Sequence, residues 1–124
     1  MSPAAWVAFI AAGAIAAPVR YLVDGAIGDR TGGVFPWGTF VVNVSGSLML
    51  GFLTGLTLYH AFPAEPRIVL GTGFCGAYTT FSTFTFETLR LVEEGATNEA
   101  LRNISATLLT GSAAAAAGLA LAAL

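Results

Sequence analysis

The sequence predicts an all-α integral membrane protein with four transmembrane helices and a break in the third. Three observations predict it. Of the 124 residues, 56% are hydrophobic and only 10% charged, with a mean hydropathy of +0.77, a balance that disfavours ordinary soluble folding. The twelve charged side chains are confined to Arg20–Arg30, Glu65–Arg67 and Glu87–Arg102. The charge-free runs left between them, residues 1–19, 31–64, 68–86 and 103–124, can each cross a bilayer, which takes about 20 mainly apolar residues.

The spans are expected at approximately 3–23, 37–60, 67–90 and 101–123, forming a single membrane domain over 1–124. Span one follows from AWVAFIAAGAIAAP; no basic residue precedes it, so it reads as a span and not as a cleaved leader, with Arg20 and YLVDGAIGDR as helix end and loop. In the second run TGGVFPWG suits a loop with Trp37 as an interfacial anchor, so the helix starts near Trp37 and ends near Tyr59 and His60. AFPAEPR, with Pro63 and Pro66, separates spans two and three, and EEGATNEA separates three and four. Positive residues favour termini outside, but they are so few that insertion both ways up is open.

Gly51, Gly55, Gly111 and Ala115 are small residues that let helices approach closely in lipid. Span three differs. Nine of the nineteen residues from Ile68 to Phe86 are Gly, Ser or Thr. Glycine lowers helix stability by about 1 kcal/mol relative to alanine, and hydroxyls compete for backbone partners, so a break is expected near Gly76 to Thr80. Carbonyls freed there are oxygen ligands for a small, sodium-like cation. Beyond the break Phe81 and Phe84 share a helical face, with Ser82, Thr83 and Thr85 beside and behind them. On span two Thr39, Asn43, Gly46 and Ser47 form a narrow polar stripe, with Asn43 deep in the membrane as either an interhelical contact or a pore donor.

GTFVVNVSGSLMLGFLTG and GFCGAYTTFSTFTFE, in a four-span chain with an early Arg20, resemble the Fluc (CrcB) family of fluoride ion channels. Close agreement is confined to spans two and three; span four matches mainly in its small-residue composition. The resemblance implies an antiparallel, dual-topology homodimer with two fluoride pathways at the subunit interface and a central structural sodium ion held by backbone carbonyls. By motif position Gly76 and Thr79 supply those carbonyls. Phe81 and Phe84 match the rings flanking the pore, Asn43 the pore-facing asparagine, Ser82 a nearby hydroxyl, Arg20 the vestibule arginine, and Glu87 the carboxylate closing the motif. Thr39 of the stripe is placed with the pathway, and in span four Asn103 and Thr107 best suit the pore side. The chain departs from the family pattern at Ala77, where a second glycine is usual, and at Tyr78, where an aliphatic residue is more common.

The residues also support that chemistry on physical grounds. Fluoride holds its water tightly, so a pore must offer hydrogen-bond donors in exchange, and Asn43, Ser82 and threonine hydroxyls are neutral ones. The ring edges of Phe81 and Phe84 carry partial positive charge for an anion to meet edge-on. The chain contains no lysine to trap the ion. His60 has no second histidine for metal or base work, Cys75 is a lone small hydrophobe, Glu93, Glu94 and Glu99 read as solvated loop charge, and Glu87 is within reach of Arg90. No catalytic set emerges. The expected function is passive, fluoride-selective export across a bacterial-type plasma or inner membrane, conferring fluoride resistance, with the lipid bilayer and a second copy as partners and no nucleic acid. Two alternatives stand beside it: a dual-topology proton-coupled cation exporter, which lacks a deep carboxylate, and a non-transporting assembly subunit.

Overall fold

The computed structural model describes residues 1–124, and all regular structure in it is helical. Helix α1 spans Pro3–Arg30. Ser2 starts it, its hydroxyl accepting from the Ala5 amide at 3.1 Å with Pro3 in the first turn, where a missing N–H costs nothing. Thr31 stops it by donating from both its amide and its hydroxyl to the Ile27 carbonyl, at 3.0 and 2.9 Å. The loop expected after Arg20 is therefore helix, a correction with a simple cause. At about 1.5 Å per residue, 28 residues reach about 42 Å, against a hydrocarbon core of about 30 Å. Charges at Asp24, Asp29 and Arg30 mark where the apolar stretch stops, not where the helix does.

Helix α2 spans Trp37–His60 and stops at Ala61, whose φ of 52° is left-handed. Ahead of it Phe35, Trp37 and Phe40 pack ring against ring, and the Arg102 guanidinium lies 5.0 Å from the Phe35 ring centre. The next helix, α3, covers 64–78 as Ala64–Arg67, a π-helical stretch Ile68–Cys75 and a last turn Gly76–Tyr78. Thr79 and Thr80 are extended, and α4, Phe81–Glu93, resumes beyond them. The predicted bend is thus centred on two threonines. Gly95, at φ 82°, turns the chain into α5, Thr97–Ala122.

Helices α1, α2 and α5 are each long and apolar enough to cross a membrane; neither half of the broken helix reaches that length alone. Helices α2 and α5 run along each other at backbone contact. A Cβ on Gly51 would strike the Ala115 carbonyl, and one on Gly118 the Leu48 carbonyl, so no larger residue permits this approach. His60 finishes the pair, its Nε2 lying 2.7 Å from the Ala122 carbonyl at the end of α5. Helix α1 packs on α3 through Gly73, which faces the Phe9 carbonyl. The buried centre, Ala16, Val42 and Tyr78, lies where α1, α2 and the end of α3 meet. Outward-facing positions such as Val7, Ile10, Leu22 and Leu109 are apolar, as a lipid-facing surface requires.

Candidate functional site

The site is built around the break. In a continuous helix the Thr80 amide would bond the Gly76 carbonyl; here it donates to Asn43 Oδ1 at 2.8 Å, while Asn43 Nδ2 donates to the Thr80 carbonyl at 2.9 Å. One side chain of α2 therefore bonds both backbone polar groups of one residue, Thr80, at the break, and that is what makes the break tolerable in lipid. Thr80 also caps α4, its hydroxyl accepting from the Thr83 amide at 3.1 Å. The Thr79 carbonyl accepts from Arg20 Nη1 at 3.4 Å, and the Thr79 hydroxyl donates back to Cys75.

Beside the break runs an open groove of about 650 Å³ between α2, the broken helix and α5. It contains Asn43, Phe81, Phe84, Thr107, Gly76 and Thr79 together. The two rings are 6.1 Å apart at 41°; Phe81 is 77% exposed, while Phe84 is half-buried. No formal charge lines the groove. Hydroxyl protons there are largely committed: Ser47 donates to the Asn43 carbonyl at 2.8 Å and Thr107 to Asn103 Oδ1 at 3.4 Å. A hydroxyl has one proton to give, whereas the amide of Asn43 has two and spends one on Thr80, so Asn43 keeps a donor for a guest.

Residues 7–119 match the family described as CrcB-like protein, Camphor Resistance (CrcB). The chain belongs to the CrcB family. Its relatives include the Fluoride-specific ion channel FluC 1 of Frankia casuarinae, 48% identical over 94% of this chain and 95% of that one. Another of the same name, from Streptomyces avermitilis, is 47% identical over 91% of each. The Fluoride-specific ion channel FluC of Methanocaldococcus jannaschii is 49% identical over 68% of this chain and 67% of its own. These CrcB relatives are named as channels, not enzymes.

The remaining site residues of this CrcB chain lie outside the groove. Arg20 and Thr39 line a separate pocket of about 200 Å³ with Asp24 and Thr83. The Thr39 hydroxyl donates to Glu87 Oε1, and Glu87 opens on its other side to a third pocket of about 270 Å³. Glu87 does not pair with Arg90, which bonds Glu94 at 2.9 Å one turn along α4. Ser82 is exposed, 3.5 Å from the Thr80 hydroxyl, and lines neither cavity. Asn103 is 1% exposed and donates to Thr88 at 2.9 Å behind the rings.

Sequence reasoning missed Asp24 and Thr88. Asp24 had a local signal, standing four residues after Arg20 on one helical face. Thr88 had none, because its partner Asn103 comes from another helix.

Proposed function

We infer that this CrcB chain is a fluoride channel of a bacterial-type multi-pass membrane, letting fluoride leave the cell passively down its electrochemical gradient and so limiting its toxicity. The observation that carries the reading is an uncharged groove holding a spare amide donor at Asn43 next to the ring pair Phe81 and Phe84. An amide N–H and ring edges offer a small anion partial positive charge in exchange for water, without a full charge to retain it. The naming of the relatives as fluoride-specific channels supports the same ion.

Helices α1, α2, the broken segment over residues 67–90 and α5 then serve as four spans, and two antiparallel copies close the pathway. The supporting observation is that the groove is open along one side and leaves Phe81 exposed, so one chain does not enclose a passage. Arg20 on the neighbouring pocket draws anions towards it, with Thr39, Glu87 and Ser82 on the approach.

A structural sodium ion fits the break. The Gly76 carbonyl has lost its helical donor and Gly76 is open to the groove, while the Thr79 carbonyl holds a long 3.4 Å bond from Arg20 that an ion would have to displace; uncharged oxygens are the donors a hard cation takes. Bound there, sodium would supply fixed positive charge and hold two copies in register. Two carbonyls from each of two copies would give four of the roughly six oxygens a hard cation takes, leaving the remainder to water or further oxygens.

The test is fluoride and chloride efflux from liposomes containing the purified protein, with valinomycin to release the potential. Rapid fluoride loss with chloride retained is expected. Folded protein that releases no fluoride would overturn the reading, and proton movement against a cation would put an exporter in its place.

A further inference from the structure

Asn43 is asked to do two things with one amide group: hold the Thr80 peptide and meet the ion. A guest drawn to the spare proton pulls on the same amide that keeps the break in place. Two residues further along α2, and two residues before Thr80 on the broken helix, lies another contact. Tyr78 is 6% exposed, and its hydroxyl is 2.9 Å from Ser45 Oγ. The Ser45 hydroxyl also reaches the Val42 carbonyl at 3.1 Å, and since it has a single proton, that proton goes to Val42 and Tyr78 is the donor to Ser45. The ring is stacked on Phe74, 5.7 Å away at 20°, and lies against Gly46, where a Cβ would sit 3.3 Å from its Cδ1. Every polar atom in this chain of bonds is satisfied, and none of it faces the groove.

We propose that Tyr78 and Ser45 are positioning residues for conduction: a second tether of the helix break that keeps Thr79 and Thr80 seated while the spare amide proton of Asn43 meets a passing ion. Two contacts thus cross from α2 to the break, Asn43 to Thr80 and Ser45 to Tyr78, one on each side of Thr79. The first is shared with the ion and the second is not. The flux part of this inference rests on the channel reading above; the tether itself does not.

Tyr78→Phe is the cleanest variant, because it keeps the ring and leaves Ser45 bonded to Val42. Two measurements apply to the full chain. Hydrogen exchange without fluoride is expected to show the Thr79 and Thr80 amides exchanging about fivefold faster in Tyr78→Phe, the equivalent of one net hydrogen bond. Fluoride efflux per folded protein is expected to fall by a similar factor in Tyr78→Phe and in Ser45→Ala, no further in the double variant, and to recover in Ser45→Thr. Unchanged exchange in Tyr78→Phe would overturn the tether, even in a protein that conducts nothing. Faster exchange with unchanged efflux, or single effects that multiply in the double variant, would overturn its role in conduction. A wild-type protein that passes no fluoride fails the channel reading, and exchange alone then decides the tether.

Discussion

Asn43 shows how much one residue can carry when its neighbours are spoken for. Its carbonyl oxygen and one amide proton close on the backbone N–H and C=O of a single residue, Thr80, and the second amide proton is left over. Asn43→Asp keeps the acceptor for the Thr80 amide but sets a negative oxygen against the Thr80 carbonyl and removes the spare donor. Fluoride efflux is expected to drop at least about tenfold, with the protein still running as an assembled species on gel filtration. Normal efflux would move the pathway away from Asn43. Thr39 and Glu87 teach a different lesson at this scale: both carry groups suited to a pathway, yet they bond each other in a region separate from the groove.

Among the elements, the α2–α5 contact is the one held by backbone proximity. Gly51 and Gly118 let each helix reach the other's carbonyls, so Gly51→Val must push the pair apart. Overpacking of this kind costs about 1–3 kcal/mol, to be read as earlier thermal unfolding in detergent, and Gly76→Val, with open space around it, should show no such clash. A smaller tie joins the start of α1 to α3. The Ser2 amide donates to Glu65 at 2.5 Å and its hydroxyl at 3.1 Å, which hold that carboxyl below its ordinary range. A lowered carboxylate pKa stabilises the fold above the unfolded value of about 4.3, and that contribution is lost as pH falls through the lower, folded value. Proteolysis of the amino terminus should therefore be pH-independent near neutrality and speed up only in acid; Glu65→Gln should abolish the acid dependence. The pair is exposed, so the effect is local.

For the molecule as a whole, the exposed ring matters most. Phe81 is 77% accessible on the rim of an open groove, so the chain by itself gains little from it. Phe81→Ile is accordingly expected to leave the unfolding temperature of the single chain unchanged while lowering fluoride efflux by up to about tenfold, the range of one aromatic contact. A variant that unfolds early would make Phe81 a core residue instead. Light scattering of the protein in detergent should give the mass of two chains; a monomer that still conducts fluoride would remove the need for a second wall.

The sequence by itself determined that the chain is helical and apolar, that the third apolar segment bends near Gly76 to Thr80, and that Asn43, Phe81 and Phe84 belong to its most distinctive stretches. Charge placement, glycine content and hydroxyl spacing are local properties, and local properties can be read along a chain. Tertiary structure alone decided where α1 stops, because Thr31 and not the first charge ends the hydrogen-bond ladder. It alone paired Asn43 with Thr80, Thr39 with Glu87, Asn103 with Thr88 and Ser45 with Tyr78. Each of those bonds joins different helices, and their partners depend on the rotation and depth of one helix against another. Close approach at Gly51 and Gly118 sets how near α2 and α5 lie, a quantity that residue spacing within one helix does not contain.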